Sequence, residues 1–185
     1  MDAITLLKAD HRTVEKLFKA FEKAGESANV TKAKTVDQVI SELSVHAAIE
    51  EQVFYPAARN EVGDTTGMVL ESLEEHHVVK WLLSELEGMD PTDERYVAKM
   101  TVLMELVRHH VKEEEEDLFP QLRAAIGRKR MGEIGAALEE AKKVAPTLPH
   151  PRSPDTPPGN LVAGTVAGVV DKARKAGKKA AAKTQ

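Results

Sequence analysis

Two stretches of this chain repeat one set of side chains: His46-x-x-x-Glu50-Glu51-x-x-x-x-Pro56 and, sixty-four residues later, His110-x-x-x-Glu114-Glu115-x-x-x-x-Pro120. A His and a Glu four residues apart lie on one face of a helix, about one turn from each other, so both side chains reach the same small volume. Imidazole and carboxylate together ligate first-row transition metals, and two such turns facing each other hold two ions. The chain has no cysteine, which excludes disulfides, thiolate nucleophiles, iron–sulfur clusters and cysteine-bound zinc. Any metal is therefore held by nitrogen and oxygen.

Helices must position these residues, because residues 1 to 145 show apolar spacing of three and four almost everywhere and no strand-like alternation. The first helix is expected from about Asp2 to Ala24, with Ile4, Leu7, Val14, Phe18 and Phe21 on one stripe and His11 filling its gap. The second, about Thr31 to Glu61, carries Val36, Val39, Ile40, Leu43, Val53 and Phe54, with His46 and Glu50 in register; Pro56 is expected to kink or end it. The third, about Thr65 to Glu87, carries Val69, Leu73, Val79, Leu83 and Leu86, with His76 on the stripe and Gly88 as its stop. The fourth is expected to open with Asp90 as N-cap and Pro91 at the first helical position, then run through Met100, Leu103, Val107 and Leu118 with His110 and Glu114 inside the row. Connections this short between long helices force antiparallel neighbours, so the expected fold is all-α, an up-down-up-down four-helix bundle. Met131, Ile134 and Leu138 point to a short fifth helix at one end.

Each of the four helices thus delivers one histidine in register with its apolar stripe. A lone core histidine is ordinarily a hydrogen-bonded packing residue. Four of them, two with a glutamate at the fourth position on, are different. Burying two carboxylates costs several kcal/mol each unless positive charge meets them, and the inner stripes carry no Arg to do so. A bound metal supplies that charge.

The composition, 42% hydrophobic over 185 residues, allows one domain with a proper core plus an appendage. Six of the nine prolines (Pro146, Pro149, Pro151, Pro154, Pro157, Pro158) fall between residues 146 and 160, which marks an extended linker and sets the domain boundary near residue 145. Residues 161 to 185 carry Lys172, Arg174, Lys175, Lys178, Lys179 and Lys183 against Asp171, a local charge of +5, and are expected to form a basic, flexible tail. With −4 for the whole chain, residues 1 to 145 hold about −9, so nucleic-acid binding is not expected, except weakly through the tail. No apolar run approaches the roughly 20 residues that cross a bilayer, and Met1-Asp2-Ala3 does not begin a basic-then-apolar leader, so a cytoplasmic protein is expected.

His11, then His46-x-x-x-Glu50, then His76, then His110-x-x-x-Glu114, in that order over residues 1 to about 125, resembles the bacterial hemerythrin-like, or HHE cation-binding, family. The Pro-rich segment followed by Leu161 to Asp171 resembles tails on its actinobacterial members. The resemblance implies a non-haem di-iron centre of two iron ions, with His11, His46, His76 and His110 as terminal ligands and Glu50 and Glu114 bridging, together with an oxo or hydroxo group. Counted this way, ten bonds leave both irons five-coordinate. Respiratory hemerythrins add a fifth histidine four residues from another on the third helix; here Ser72 and Lys80 flank His76 at that spacing, which counts against simple oxygen carriage.

Several neighbours bear on that count. His77 and His109 fall about a hundred degrees off the inner stripes and read as surface residues or residues behind the ligands. Glu51 and Glu115 offer an extra carboxylate, although the run Glu113 to Glu116 reads more simply as a solvated face. Tyr55, replaced by Phe119 in the second copy, is the phenol near a repeat and would ligate ferric iron only if the break at Pro56 swings it inward. Trp81, Met68, Met100 and Met104 read as packing residues. Two functions follow: a di-iron oxidoreductase acting on hydrogen peroxide, dioxygen or nitric oxide in oxidative or nitrosative stress defence, or an oxygen-binding, oxygen-sensing or iron-handling module without turnover.

Overall fold

The computed structural model describes residues 1–181, and among them all regular structure is helical. Residues 182–185, and with them Lys183 of the expected basic tail, lie outside the described residues. Helix α1 spans Ala3–Lys23, its N-terminus capped by Asp2, whose carboxylate accepts the Thr5 N–H at 3.0 Å. Helix α2 spans Asn29–Ile49 and passes into a π turn, Glu50–Phe54, after which α3 resumes at Tyr55–Glu61. Helix α4 spans Thr66–Leu86 and is stopped by Gly88 at a φ of 76°, a conformation that costs glycine little. Helix α5 spans Tyr96–Glu113 and enters a second π turn, Glu114–Leu118, followed by α6, Phe119–Ala125. Helix α7 spans Arg128–Val144 and α8 spans Gly159–Ala181.

Within residues 1–145 the sequence expectation fails in three places. The helix expected to open at Asp90 begins at Tyr96 instead. The Asp90 carboxylate accepts the Thr92 N–H at 2.8 Å and Asp93 accepts the Arg95 N–H at 2.8 Å, so two side chains take backbone donors that a helix would need and hold the segment in turns. Pro56 neither ends nor simply kinks its helix. The turn widens one residue early, the Tyr55 N–H reaches back to the Glu50 carbonyl, and the same occurs at Phe119 and Glu114 before Pro120. The wider turn accommodates the missing proline N–H within the hydrogen-bonding pattern. The fifth helix is not short: α7 has 17 residues, buries Met131, Ile134 and Leu138, and brings Gly135 so close to the Met1 carbonyl that no side chain fits there.

The segment expected as a flexible tail is helical from Gly159, and some of its side chains reach the bundle or the Pro-rich segment. Asp171 is fully buried and its Oδ2 accepts the backbone N–H groups of Thr147 at 2.9 Å and Leu148 at 3.0 Å. Asn160 donates to the Glu51 carbonyl at 3.0 Å, while Gly164 and Gly168 allow close approach to Gln52 and the Val144 carbonyl. This docking runs through polar anchors and glycines, so an apolar periodicity does not announce it.

The core falls into two apolar clusters. One gathers Ile4, Leu7, Ile49, Phe54, Leu73, Leu118 and Phe119 with α7; the other gathers Val14, Phe18, Val39, Leu43, Val79, Leu83, Leu103 and Val107. Helix α1 runs from the first cluster to the second, α2 returns, α4 runs outward again and α5 returns. His11, His46, His76 and His110 each sit where their helix crosses from one cluster to the other.

Candidate metal centre

At that seam the four imidazoles converge in two pairs. The Nε2 atoms of His11 and His46 are 3.2 Å apart, as are those of His76 and His110. The carboxylates span the pairs: Glu50 Oε2 is 3.2 Å from His46 Nε2 and 3.3 Å from His76 Nε2, and Glu114 Oε2 is 3.3 Å from His11 Nε2 and 3.6 Å from His110 Nε2. His11, His46, Glu50 and Glu114 make one group able to hold an ion, and Glu50, His76 and His110 make another, with Glu50 in both. All six residues are buried.

Each ring is met from behind at Nδ1 by a carboxylate from a different helix. Glu115 accepts from His11 at 2.9 Å, Glu51 from His76 at 3.1 Å and Glu75 from His110 at 2.7 Å, while Asp10 faces His46 Nδ1 across 3.7 Å, beyond hydrogen-bond length. Such partners fix ring orientation and turn Nε2 toward the centre as the free donor. Glu51 and Glu115 therefore meet the outer edge of a ring, on the side away from the four-histidine cluster. Glu51 also takes two hydrogen bonds from the buried ammonium of Lys80, at 2.8 and 3.0 Å, and Lys8 pairs with Glu115 at 3.0 Å. Lys80 is the residue four beyond His76, where an extra imidazole would stand.

Asp10, Glu75 and Lys80 were not singled out from sequence as parts of the site. A signal for two of them existed: Asp10-His11 and Glu75-His76 are acid–histidine pairs sixty-five residues apart, nearly the offset of the longer repeat.

Tyr55 enters the site through the first π turn. Five residues after Glu50, it would lie well around an α-helix from that side chain, but the wider turn brings it beneath. Its hydroxyl donates to Glu114 Oε1 at 3.0 Å and lies 3.4 Å from Glu50 Oε2, 3.3 Å from His76 Nε2 and 3.5 Å from His110 Nε2. The equivalent turn brings Phe119 against His11, with rings stacked at 5.9 Å. The phenol is thus one chemical difference between the two halves. His77 and His109 lie outside: His77 is exposed and accepts the Trp81 indole N–H at 3.1 Å, and His109 is exposed beside Glu113 at 3.2 Å. Trp81 is half-exposed under the Arg152 guanidinium, Met100 and Met104 are buried and Met68 is partly so.

The protein groups alone do not balance. Burial, then the Glu114 anion, pushes the Glu50 carboxyl well above its ordinary value, so one of the two carboxylates keeps a proton. Glu114 is held well below its ordinary value although burial opposes this, because His110, His11 and His46 stabilise the anion. Burial takes His46 down to about 4 and also lowers His76, leaving both as neutral imidazoles. Burial and the two carboxylates keep the Tyr55 phenol protonated. Glu50 Oε1 and Glu114 Oε2 have no hydrogen-bond donor in a fully buried setting. The two neutral imidazoles, the paired carboxylates and the orphaned oxygens fit a cation.

A family model described as the hemerythrin HHE cation binding domain matches residues 2–122. An uncharacterized hemerythrin-like protein of Schizosaccharomyces pombe is 29% identical over 166 residues, which cover 89% of this chain and 81% of that protein. A DNA nickase of Nostoc is 25% identical over 142 residues, 77% of this chain, and this chain spans 39% of the nickase's length. The crystal structure of a hemerythrin HHE cation binding domain-containing protein from Mycobacterium kansasii is similar in fold, with a TM-score of 0.65 and 23% identity over 77% of this chain and 88% of that one.

Proposed function

Since the chain belongs to the hemerythrin HHE cation-binding domain family, we propose that it is a non-haem di-iron protein that reacts with small oxidants, hydrogen peroxide, dioxygen or nitric oxide, in oxidative or nitrosative stress defence. The observation that carries the reading is Glu50, one buried carboxylate within 3.3 Å of an imidazole from each donor group. His11 and His46 would hold one iron and His76 and His110 the other, with Glu50 and Glu114 shared. The alternation of α1, α2, α4 and α5 between the two core clusters supports an up-down-up-down four-helix bundle as the scaffold. The Pro-rich segment supports an actinobacterial type.

When bound, an iron pair supplies Lewis acidity and two-electron redox capacity. The protein's own groups do the rest. Three carboxylates hydrogen-bond to and aim the imidazoles of His11, His76 and His110, and Tyr55 holds a proton at its hydroxyl within reach of Glu114. A cavity of about 20 Å³ lies against all four histidines, walled by Val14, Leu43, Ala47, Val79, Val107 and Val111. It has room for only a very small molecule. Nucleic acid is not the substrate we assign, because the body carries about −9.

Metal analysis after iron-replete expression should give close to two irons per chain, with charge-transfer bands of a ferric pair; one ion or none removes the di-iron reading. The ferric protein mixed with peroxide at an oxygen electrode should evolve oxygen. The apolar cavity walls favour a second reading, in which dioxygen binds without turnover. Reversible oxygen uptake by the ferrous protein, with no consumption of peroxide or nitric oxide, would select it.

A further inference from the structure

Outside the buried donors, a second group of ligating side chains stands on the surface where α4 meets α5. His109 Nε2 is 3.2 Å from Glu113 Oε1 and 3.9 Å from Glu75 Oε1, and the three ligand atoms lie within 4.8 Å of one another. Glu75 faces both ways, because its other oxygen accepts from His110 Nδ1 at 2.7 Å. Glu113 also lines a cavity of about 340 Å³ with Glu71, Ser72 and Asp117, and that cavity ends on Glu114. Glu114 is 1% exposed and its Oε2 has no hydrogen-bond donor. No Lys or Arg lines this cavity. The groove that reaches His11 from the other side is of mixed character with a cationic excess, six Lys and Arg side chains against Glu15, Glu115 and Glu116.

We propose that Glu75, His109 and Glu113 form a surface site for a divalent cation, and that the acidic cavity sharing Glu113 is the route by which the ion reaches Glu114 and the buried donors. The route rests on the reading of those donors as a metal centre; the surface site does not. A hydrated dication cannot cross an apolar wall without losing its water oxygens at great cost. Carboxylates spaced along a polar passage replace those oxygens one by one, and their field raises the local cation concentration at the mouth. The second π turn builds the passage, since Glu113 ends α5 and Glu114 and Asp117 belong to the widened turn.

Two measurements on the full chain test the two parts. In the first, chelator-stripped protein is mixed with Co²⁺ and the visible bands of the filled centre are followed by stopped flow. The double variant Glu71→Gln/Asp117→Asn should fill about tenfold more slowly to the same final band intensity, and added salt should slow the wild type more than the variant. Equal filling rates overturn the route. In the second, the fully loaded protein is titrated with Mn²⁺ and free Mn²⁺ is read by electron paramagnetic resonance. One further ion should bind, and His109→Ala should abolish that binding while leaving the Co²⁺ spectrum of the centre unchanged. No further ion, or one that survives His109→Ala, overturns the surface site. A wild-type chain that shows no Co²⁺ bands at all refutes the metal centre, and the route with it, whereas the Mn²⁺ titration still decides the surface site.

Discussion

At the scale of single residues, the centre is organised by which groups hold protons. Glu50 keeps its proton because burial and the neighbouring Glu114 anion disfavour a second charge. Its folded value is raised above 4.5, so the stability linked to this proton is fully present below the unfolded value and is lost as pH rises through the folded one. A cation has to displace the same proton, so metal affinity rises with pH over that window. Loading chelator-stripped protein at a pH below that folded value should therefore release protons to an indicator dye. Stripped Glu50→Gln should lack the fall in stability that stripped wild type shows on raising pH; denaturation curves of equal steepness against pH would refute the assignment. On helix α4, His76→Ala should lose metal and His77→Ala should keep it, as read by bound iron after desalting. Asp10→Asn should weaken metal affinity about 10- to 100-fold through its effect on the His46 ring. Unchanged affinity in a competition titration would show that the 3.7 Å approach has no role.

At the scale of elements, the two π turns do what a regular helix cannot. Each lets a proline follow a ligand-bearing turn and rotates the next aromatic residue into the site, Tyr55 in one copy and Phe119 in the other. Each also sets the phase of everything after it. Glu116 is exposed, so Glu116→Ala should be nearly neutral, whereas deleting Glu116 should turn Leu118, Phe119 and Leu122, all within 2% of full burial, by about 100° out of the core. The deletion should cost several kcal/mol and broaden thermal unfolding; an intact, cooperative transition would mean that the wide turn is incidental. Tyr55→Phe removes one hydrogen bond to a charged acceptor, about 1.5–3 kcal/mol, without opening a large cavity. It should retain its iron if the phenol serves only as a donor, and lose a visible phenolate band if Tyr55 ligates ferric iron.

At the scale of the whole molecule, α8 and the Pro-rich segment close over the side of the bundle that carries Glu51 and Lys80, leaving a cavity of about 40 Å³ between them. Asp171 holds this cover by accepting two backbone N–H groups of the linker. Asp171→Ala should cost about 1–3 kcal/mol by leaving those donors unpaired. A chain ending at residue 145 should keep its metal, because the six donors lie between residues 11 and 114, and should melt at lower temperature than the full chain. Loss of iron on that truncation would make the cover part of the centre.

Six candidate donors and the helices that carry them were legible in the sequence, because both signals are local. An apolar period of three and four marks a helix face, and a His and Glu four apart on that face share a volume whatever surrounds them. The stop at Gly88 was legible for the same reason. What the sequence left open depends on contacts between distant segments. The four carboxylates behind the rings come from other helices than the histidines they serve: Asp10 faces His46, Glu51 faces His76, Glu75 faces His110 and Glu115 faces His11. Periodicity gives the face of each helix but not the rotation of one helix against the next, so these pairings were decided in the folded core. Tyr55 reached the centre only through a turn of non-α hydrogen bonding. The last segment docked through Asn160, Asp171 and glycines, where the stabilising contacts are buried hydrogen bonds and close backbone approach, neither of which leaves an apolar rhythm in a sequence.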